Sequence, residues 1–215
     1  MRSTPLHETI DFRHQTWDRV ARIAAFCDSP STEIDGIAGV SLGTIALAPA
    51  RAASITGDQL TILLHLRPSP SDGPTYYVAK GDQQYGLYQP DSQSLTFVVD
   101  VEDSPKVTVP VPDNWYDEWH TIAAVYSGKD MALLVDGEVL GTQPTSGLIR
   151  YGVGGLLLGQ HMNRDSNGGG TIAALQLFDA ALERERLSTI TDAPGPGCRI
   201  DLRFDNVSPW EETKS

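Results

Sequence analysis

Cysteine is scarce in this chain: Cys27 and Cys198 are the only two in 215 residues. Neither sits in a Cys-x-x-Cys pair, and no Cys/His cluster has zinc-ligand spacing, which excludes a zinc finger or a dithiol redox centre. Two fates for the pair stay open: separate half-buried thiols, or a disulfide tying the chain ends together. Basic residues are also few. Lys and Arg number 16 against 28 Asp and Glu, for a formal charge of −12. That is the wrong sign for gripping nucleic acid or an anionic membrane, so neither is an expected partner. No apolar run reaches membrane-spanning length. The opening MRSTPLHETIDF lacks the apolar core of a secretory signal. The chain is therefore expected to be either cytoplasmic or a piece of a larger protein. Linker-like ends favour the piece, with an extracellular setting if that parent is secreted.

What is present suits one all-β domain. Hydrophobic residues make up 40% and charged ones 20%, enough apolar mass for a core. The stretch 119–126 (WHTIAAVY) is β-branched and aromatic, a strong strand. Met131–Val135 is a second, and Asp136-Gly137 supplies the two positive-φ residues of a type I′ turn into a third, Glu138–Gly141. Gln59–Arg67 carries apolar residues on both faces, hence a central strand. Thr75–Ala79, Tyr85–Tyr88, Ser94–Asp100, Gly155–Gly159, Thr171–Phe178 and Arg199–Phe204 follow at short spacings, and Val40–Leu47 is a milder candidate. This punctuation indicates an antiparallel sandwich or barrel. A short helix is expected over Ala181–Ile190, closed by Pro194-Gly-Pro-Gly. Another, capped by Thr16, is expected over Trp17–Phe26 in an N-terminal arm of residues 1–32. Residues 33–205 form the domain and 206–215 a tail.

Several segments, in order, carry a family likeness: Tyr77-Val-Ala-Lys-Gly-Asp82 with Tyr85-Gly-Leu-Tyr88, then Trp119-His-Thr-Ile-Ala and Leu134-Val-Asp-Gly-Glu. Leu157-Leu-Leu-Gly159 and Gly170-Thr-Ile-Ala-Ala-Leu-Gln-Leu-Phe178 complete the set. Over residues 33–192 they resemble the laminin G type of concanavalin A-like domain. The resemblance implies a two-sheet antiparallel jelly-roll sandwich with one short C-terminal helix. It also implies a non-catalytic carbohydrate-binding accessory domain of a larger glycan-acting protein. The expected partners are a glycan or the catalytic domain of the same polypeptide. The closing GTIAALQLFDAALERERL is also similar to the end of sialic-acid-binding modules. Where such domains read Gly-x-Ile-Asp, this chain reads Gly170-Thr-Ile-Ala173. The acidic side chain that helps hold a structural calcium is missing, so no cofactor is expected at that position, with calcium left open as a possible ligand of the chain.

Catalysis has little support in the residues. β-Glucan-cleaving relatives carry Glu-x-Asp-x-x-Glu on a strand, which aims two carboxylates at one side. Glu33-Ile-Asp35 begins that pattern, but Ala38 stands at the third acidic position. Asp100-Val-Glu-Asp103 reads as a strand end entering a solvated loop. The histidines show no ligand spacing, and neither a nucleophile elbow nor a phosphate-cradling loop appears. For a sugar, flat rings and planar polar groups matter. Trp119, heading the strongest strand, reads as core. Trp115 and Tyr116 lie in a loop, as a stacking platform or as a lid on the core. Arg150-Tyr151 between glycines offers a cation beside a ring. The polar 160–170 loop adds His161, Asn163, Arg164, Asp165 and Asn167, suited to sugar hydroxyls, to a calcium if carbonyls help, or simply solvated. Of Tyr85 and Tyr88, one is expected on an outer sheet face.

Overall fold

The computed structural model describes residues 8–11, 25–26, 31–42, 45–47, 53–162, 169–191 and 193–204. Its strands, in chain order, are β1 (Glu8–Asp11), β2 (Ala25–Phe26), β3 (Ser31–Ile34), β4 (Ile37–Ser41) and β5 (Ile45–Leu47). Next come β6 (Leu60–Pro68), β7 (Thr75–Lys80), β8 (Tyr85–Asp91), β9 (Ser94–Val99) and β10 (Lys106–Pro110). The last are β11 (His120–Tyr126), β12 (Asp130–Val135), β13 (Glu138–Pro144), β14 (Leu156–Leu158), β15 (Gly170–Phe178) and β16 (Cys198–Arg203). They form two sheets. One runs β1-β16-β15-β6-β11-β12-β13, with the β3–β4 hairpin joined to β15; the other runs β10-β9-β8-β7-β14-β5-β2. Among the described strands every pairing is antiparallel except β1 with β16. The architecture is the expected two-sheet sandwich, with β6 at the centre of its sheet.

Alternation along each strand divides the side chains between the sandwich interior and the outer faces. Ile122, Ala124 and Tyr126 of β11 and Tyr85 and Leu87 of β8 point into the interior cluster. Outward on the larger sheet, Leu63, Ala123, Val125 and Phe178 form a second apolar cluster, covered by Leu182, Leu187 and Ile190. The Asp136–Gly137 turn has φ of 51° and 81°, as a type I′ turn requires. Asp35–Gly36 repeats it at 56° and 77° between β3 and β4.

The expected C-terminal helix needs correction. At the C-terminal end only Arg184–Arg186 is helical, a single 3-10 turn, and Glu183 before it is extended (φ −64°, ψ 150°) without a side-chain cap. The Ala181 N–H donates to Gln59 Oε1 at 3.4 Å and the Leu182 N–H to Thr61 Oγ1 at 3.1 Å, which ties this segment to residues 59–61, and the extended Glu183 interrupts any helix running on from them. At the other end Ala25–Phe26, the last residues of the expected Trp17–Phe26 helix, pair with β5, while 12–24 lie outside the described residues. Region 1–32 thus contributes β1 to one sheet and β2 to the other. Cys198 is a free, buried thiol donating to the Ile200 carbonyl at 3.3 Å, and burial pushes its pKa up to about 12. Cys27 lies outside the described residues.

Candidate functional site

The register of the seven-stranded sheet lays out its outer face in transverse rows. Lys80↔Tyr85 and Ala79↔Gly86 pair β7 with β8, Gly86↔Val98 pairs β8 with β9, and Val98↔Lys106 pairs β9 with β10. One outer row is therefore Ala79, Gly86, Val98 and Lys106, of which the first three are low. The next row is Tyr76, Tyr88, Thr96 and Thr108, where the tyrosines stack at 4.9 Å with 17° between planes. Beyond the low row stand the loops 81–84 and 100–104. Between these walls lies a trough of about 180 Å³.

Gly86 keeps the floor low: a Cβ there would lie 3.6 Å from Val98 Cγ2 and only 3.2 Å from the Val78 carbonyl. At the β7 end His161 closes the trough. Its ring lies 4.6 Å from Tyr76, and its Nε2 donates to the Asp82 carbonyl at 2.8 Å. The polar lining includes Asp82, Asp100, Ser104 and Lys106. Ser104 Oγ donates to Asp100 Oδ1 at 3.2 Å, and the same carboxylate meets Arg150 at 3.4 Å. Asp103 and Ser104 both hold positive φ, 68° and 44°. Consecutive left-handed residues, one a serine, store backbone strain on the rim of the trough.

The segment 147–154 braces one wall from behind. Lys80 Nζ donates to the carbonyls of Gly152 (3.1 Å) and Gly154 (2.9 Å). Gln84 Nε2 reaches the Arg150 carbonyl at 2.8 Å, and Tyr126 OH the Gly147 carbonyl at 2.6 Å. All three side chains are buried, and burial lowers the Lys80 pKa. Gly81 has φ 58°, and a Cβ there would collide with the Val153 carbonyl at 2.2 Å. Held this way, the segment presents Leu148 (67% exposed), Tyr151 (71%) and Val153 (68%) outward.

A second depression, about 360 Å³, crosses the outer face of the nine-stranded sheet. His65, Thr121, Ala173 and Ala174 line its floor, between the β3–β4 turn and residues 188–190. His65 shares a hydrogen bond of 3.2 Å with Thr121, and burial lowers its pKa. Its His65, Thr121 and Arg203 side chains are already engaged, Arg203 with Asp201 at 2.9 Å, and among the described residues no carboxylate lines it. The trough is the better candidate.

The expected site residues divide accordingly. His161 closes the trough, whereas Arg150 and Tyr151 stand behind its wall. Trp115 is corrected outright: it is 1% exposed, in the interior cluster, with Nε1 donating to Gln89 Oε1 at 2.9 Å, so no ligand ring can reach it. Tyr116 packs half-buried beside it and donates to the Ser92 carbonyl at 2.7 Å. Trp119 is corrected the other way. It stacks on His65 at 5.1 Å on the outer face and donates to the Ile34 carbonyl at 3.2 Å. Asn163, Arg164, Asp165 and Asn167 lie outside the described residues. Glu33 is exposed on β3, and Asp35 occupies its turn. Tyr88 is the tyrosine on the outer face, while Tyr85 is buried and bonded to the Ala53 carbonyl at 2.7 Å. Tyr76, Gly86 and Lys106 were not anticipated; only the cross-strand register brings them together. Among the described residues no three His, Cys, Asp or Glu side chains cluster as metal ligands would.

The chain belongs to the concanavalin A-like lectin/glucanases superfamily, whose sequence profile matches residues 43–188, more than half its length. No curated protein matches it in sequence. Among solved structures it is similar to the botulinum neurotoxin serotype G binding domain at 11% identity and TM-score 0.60, over 76% of this chain and 45% of that one. The binding domain of Paraclostridial Mosquitocidal Protein 1 gives 11% and 0.59, over 74% and 44%. The native heptameric SAP-like pentraxin from Limulus polyphemus gives 18% and 0.52, over 83% and 90%. The chain thus spans less than half the length of the two toxin domains. At such identities the likeness establishes the fold, a jelly-roll sandwich.

Proposed function

We propose that this is a non-catalytic binding domain whose ligand is a glycan, held in the trough on the seven-stranded sheet. The observation that carries this reading is the trough itself, where stacked Tyr76 and Tyr88 stand opposite Asp82, Asp100 and Ser104 across a floor kept low by Gly86. A pyranose needs that combination: an apolar C–H face against an aromatic ring, and hydroxyls against planar polar partners. Two structural neighbours are themselves binding domains, which supports it in kind. No bond-breaking step belongs to this reading: Glu33 and Asp35 lie on an exposed hairpin outside the trough, and of the carboxylates in the trough Asp100 is already engaged by Ser104 and Arg150. A glycan array followed by calorimetry tests it. Tyr88→Ala is expected to lose at least tenfold in affinity with the fold intact; silence across plant, microbial and host sugars overturns the reading.

A second reading has its own observation. Leu148, Tyr151, Val153 and Met162 are exposed on or beside a firmly braced segment, and large apolar side chains left in solvent on one short stretch suit a protein interface. The domain would then pack on the catalytic domain of the same polypeptide. Leu148→Ser with Tyr151→Ser should lower the melting temperature of the two-domain protein but not of this domain alone. Equal melting of both two-domain forms removes this reading.

A further inference from the structure

Resting on the glycan reading, we infer that the trough takes a single uncharged terminal sugar unit end-on, with the remainder of the ligand leaving past Lys106. Three features converge on this. The first is size. Sites that enclose drug-sized ligands run about 300–1,000 Å³, whereas the trough offers about 180 Å³, which suits one ring and not a run of them. The second is shape. The trough spans four strands, roughly 14 Å at about 4.8 Å per gap, and its two ends differ. At β7 it is blind, because the His161 ring lies against Tyr76 and its Nε2 is tied to the Asp82 carbonyl. At the other end β10 is the last strand of its sheet, and Lys106 on it is exposed, so that end opens to solvent. An internal unit of a chain needs two exits, and a chain end needs one.

The third feature is charge. Among the described residues the lining holds the carboxylates of Asp82 and Asp100 and the ammonium of Lys106. Arg150 offsets Asp100 in part, but Glu102 and Asp103 stand exposed on the same loop, and the chain as a whole carries −12. A sugar bearing a carboxylate or sulfate would enter against that field. A neutral ring meets it with hydroxyl donors, which carboxylates accept well.

Calorimetry with the intact domain, using a neutral monosaccharide chosen from array hits and its oligomers of two to five units, tests this. Affinities within about threefold along the series are expected, as is loss of binding when the terminal unit is capped by a bulky substituent. Sialylated or sulfated ends should bind at least tenfold more weakly than neutral ones. Gly86→Ala, which adds a methyl to the floor, should weaken the monosaccharide and every oligomer by the same factor. Affinity climbing tenfold or more with length, binding of end-capped chains, or preference for acidic ends would each overturn end-on recognition while leaving a glycan-binding domain in place. Absence of binding to any sugar would overturn both.

Discussion

His120, 1% exposed, holds the carboxylate of Asp136 at 2.7 Å through Nδ1, and since a carboxylate can only accept, Nδ1 is the donor. The other carboxylate oxygen accepts the Thr121 N–H at 2.8 Å, while the His120 ring stacks on Trp115 at 5.1 Å. A turn residue thus ties the β12–β13 hairpin to the head of β11 and to the tryptophan beneath. Asp136→Asn keeps the turn, because Asn-Gly suits the same geometry, yet removes the charge from His120. A loss of about 1–3 kcal/mol is expected, measured by urea unfolding of both proteins; unchanged stability would show the pair to be idle.

The two tryptophans should separate sharply. Trp115→Ala empties a filled interior site and should cost about 3–5 kcal/mol. Trp119→Ala forfeits a stacking partner and one hydrogen bond on a half-buried outer position, and about 1 kcal/mol is expected. Comparable losses in thermal unfolding would contradict the burial described.

Acid should weaken the fold partly through His65. Its folded pKa lies below the usual histidine value because burial disfavours the charged ring, an effect offset in part by the nearby Asp136. The unfolded chain therefore takes the proton first. The contribution of His65 is complete above about pH 6.5 and is lost as pH falls from there through the folded pKa. His65→Gln should flatten the decline in melting temperature between pH 7.5 and 5.5. An identical decline in both proteins would remove His65 as a cause.

Ser104 sets stability against binding. Replacing it with glycine relieves a positive φ of 44°, for a net gain of about 0.5–1 kcal/mol after the added unfolded-state freedom, or roughly 1–4 °C. The same change removes a hydroxyl from the trough wall. Ser104→Gly is expected to melt higher and bind glycan more weakly, and a lower melting temperature would deny the strain.

Calcium should leave the melting temperature unchanged. Ala173 stands where the family resemblance has an acidic ligand, and it lines a groove without carboxylates among the described residues. A rise of several degrees on adding millimolar calcium would require a site elsewhere in the chain.

Much of the sandwich could be read from residue order, because strands with a buried face announce themselves by alternation. The same rule would have placed Trp119 correctly. It shares parity with Thr121 and Ala123, whereas Ile122, Ala124 and Tyr126 fill the interior. The β3–β4 hairpin was equally legible, since Asp35-Gly36 repeats the Asp136-Gly137 signal. β10 escaped because Lys106–Pro110 is short and follows an acidic loop. The helix expected over Ala181–Ile190 shrank to one turn because Glu183 is extended, a backbone choice that residue order does not announce. The trough is hidden for a related reason: it is made of what Ala79, Gly86 and Val98 leave empty, and emptiness depends on which strands lie side by side.

The bracing of residues 147–154 has one more consequence. Lys80, Gln84 and Tyr126 grip only main-chain oxygens of that segment, and every amino acid supplies one. The outward side chains at 148, 151 and 153 can therefore be exchanged through mutation without loosening the support, so this stretch is free to diversify toward new partners while the scaffold beneath stays put.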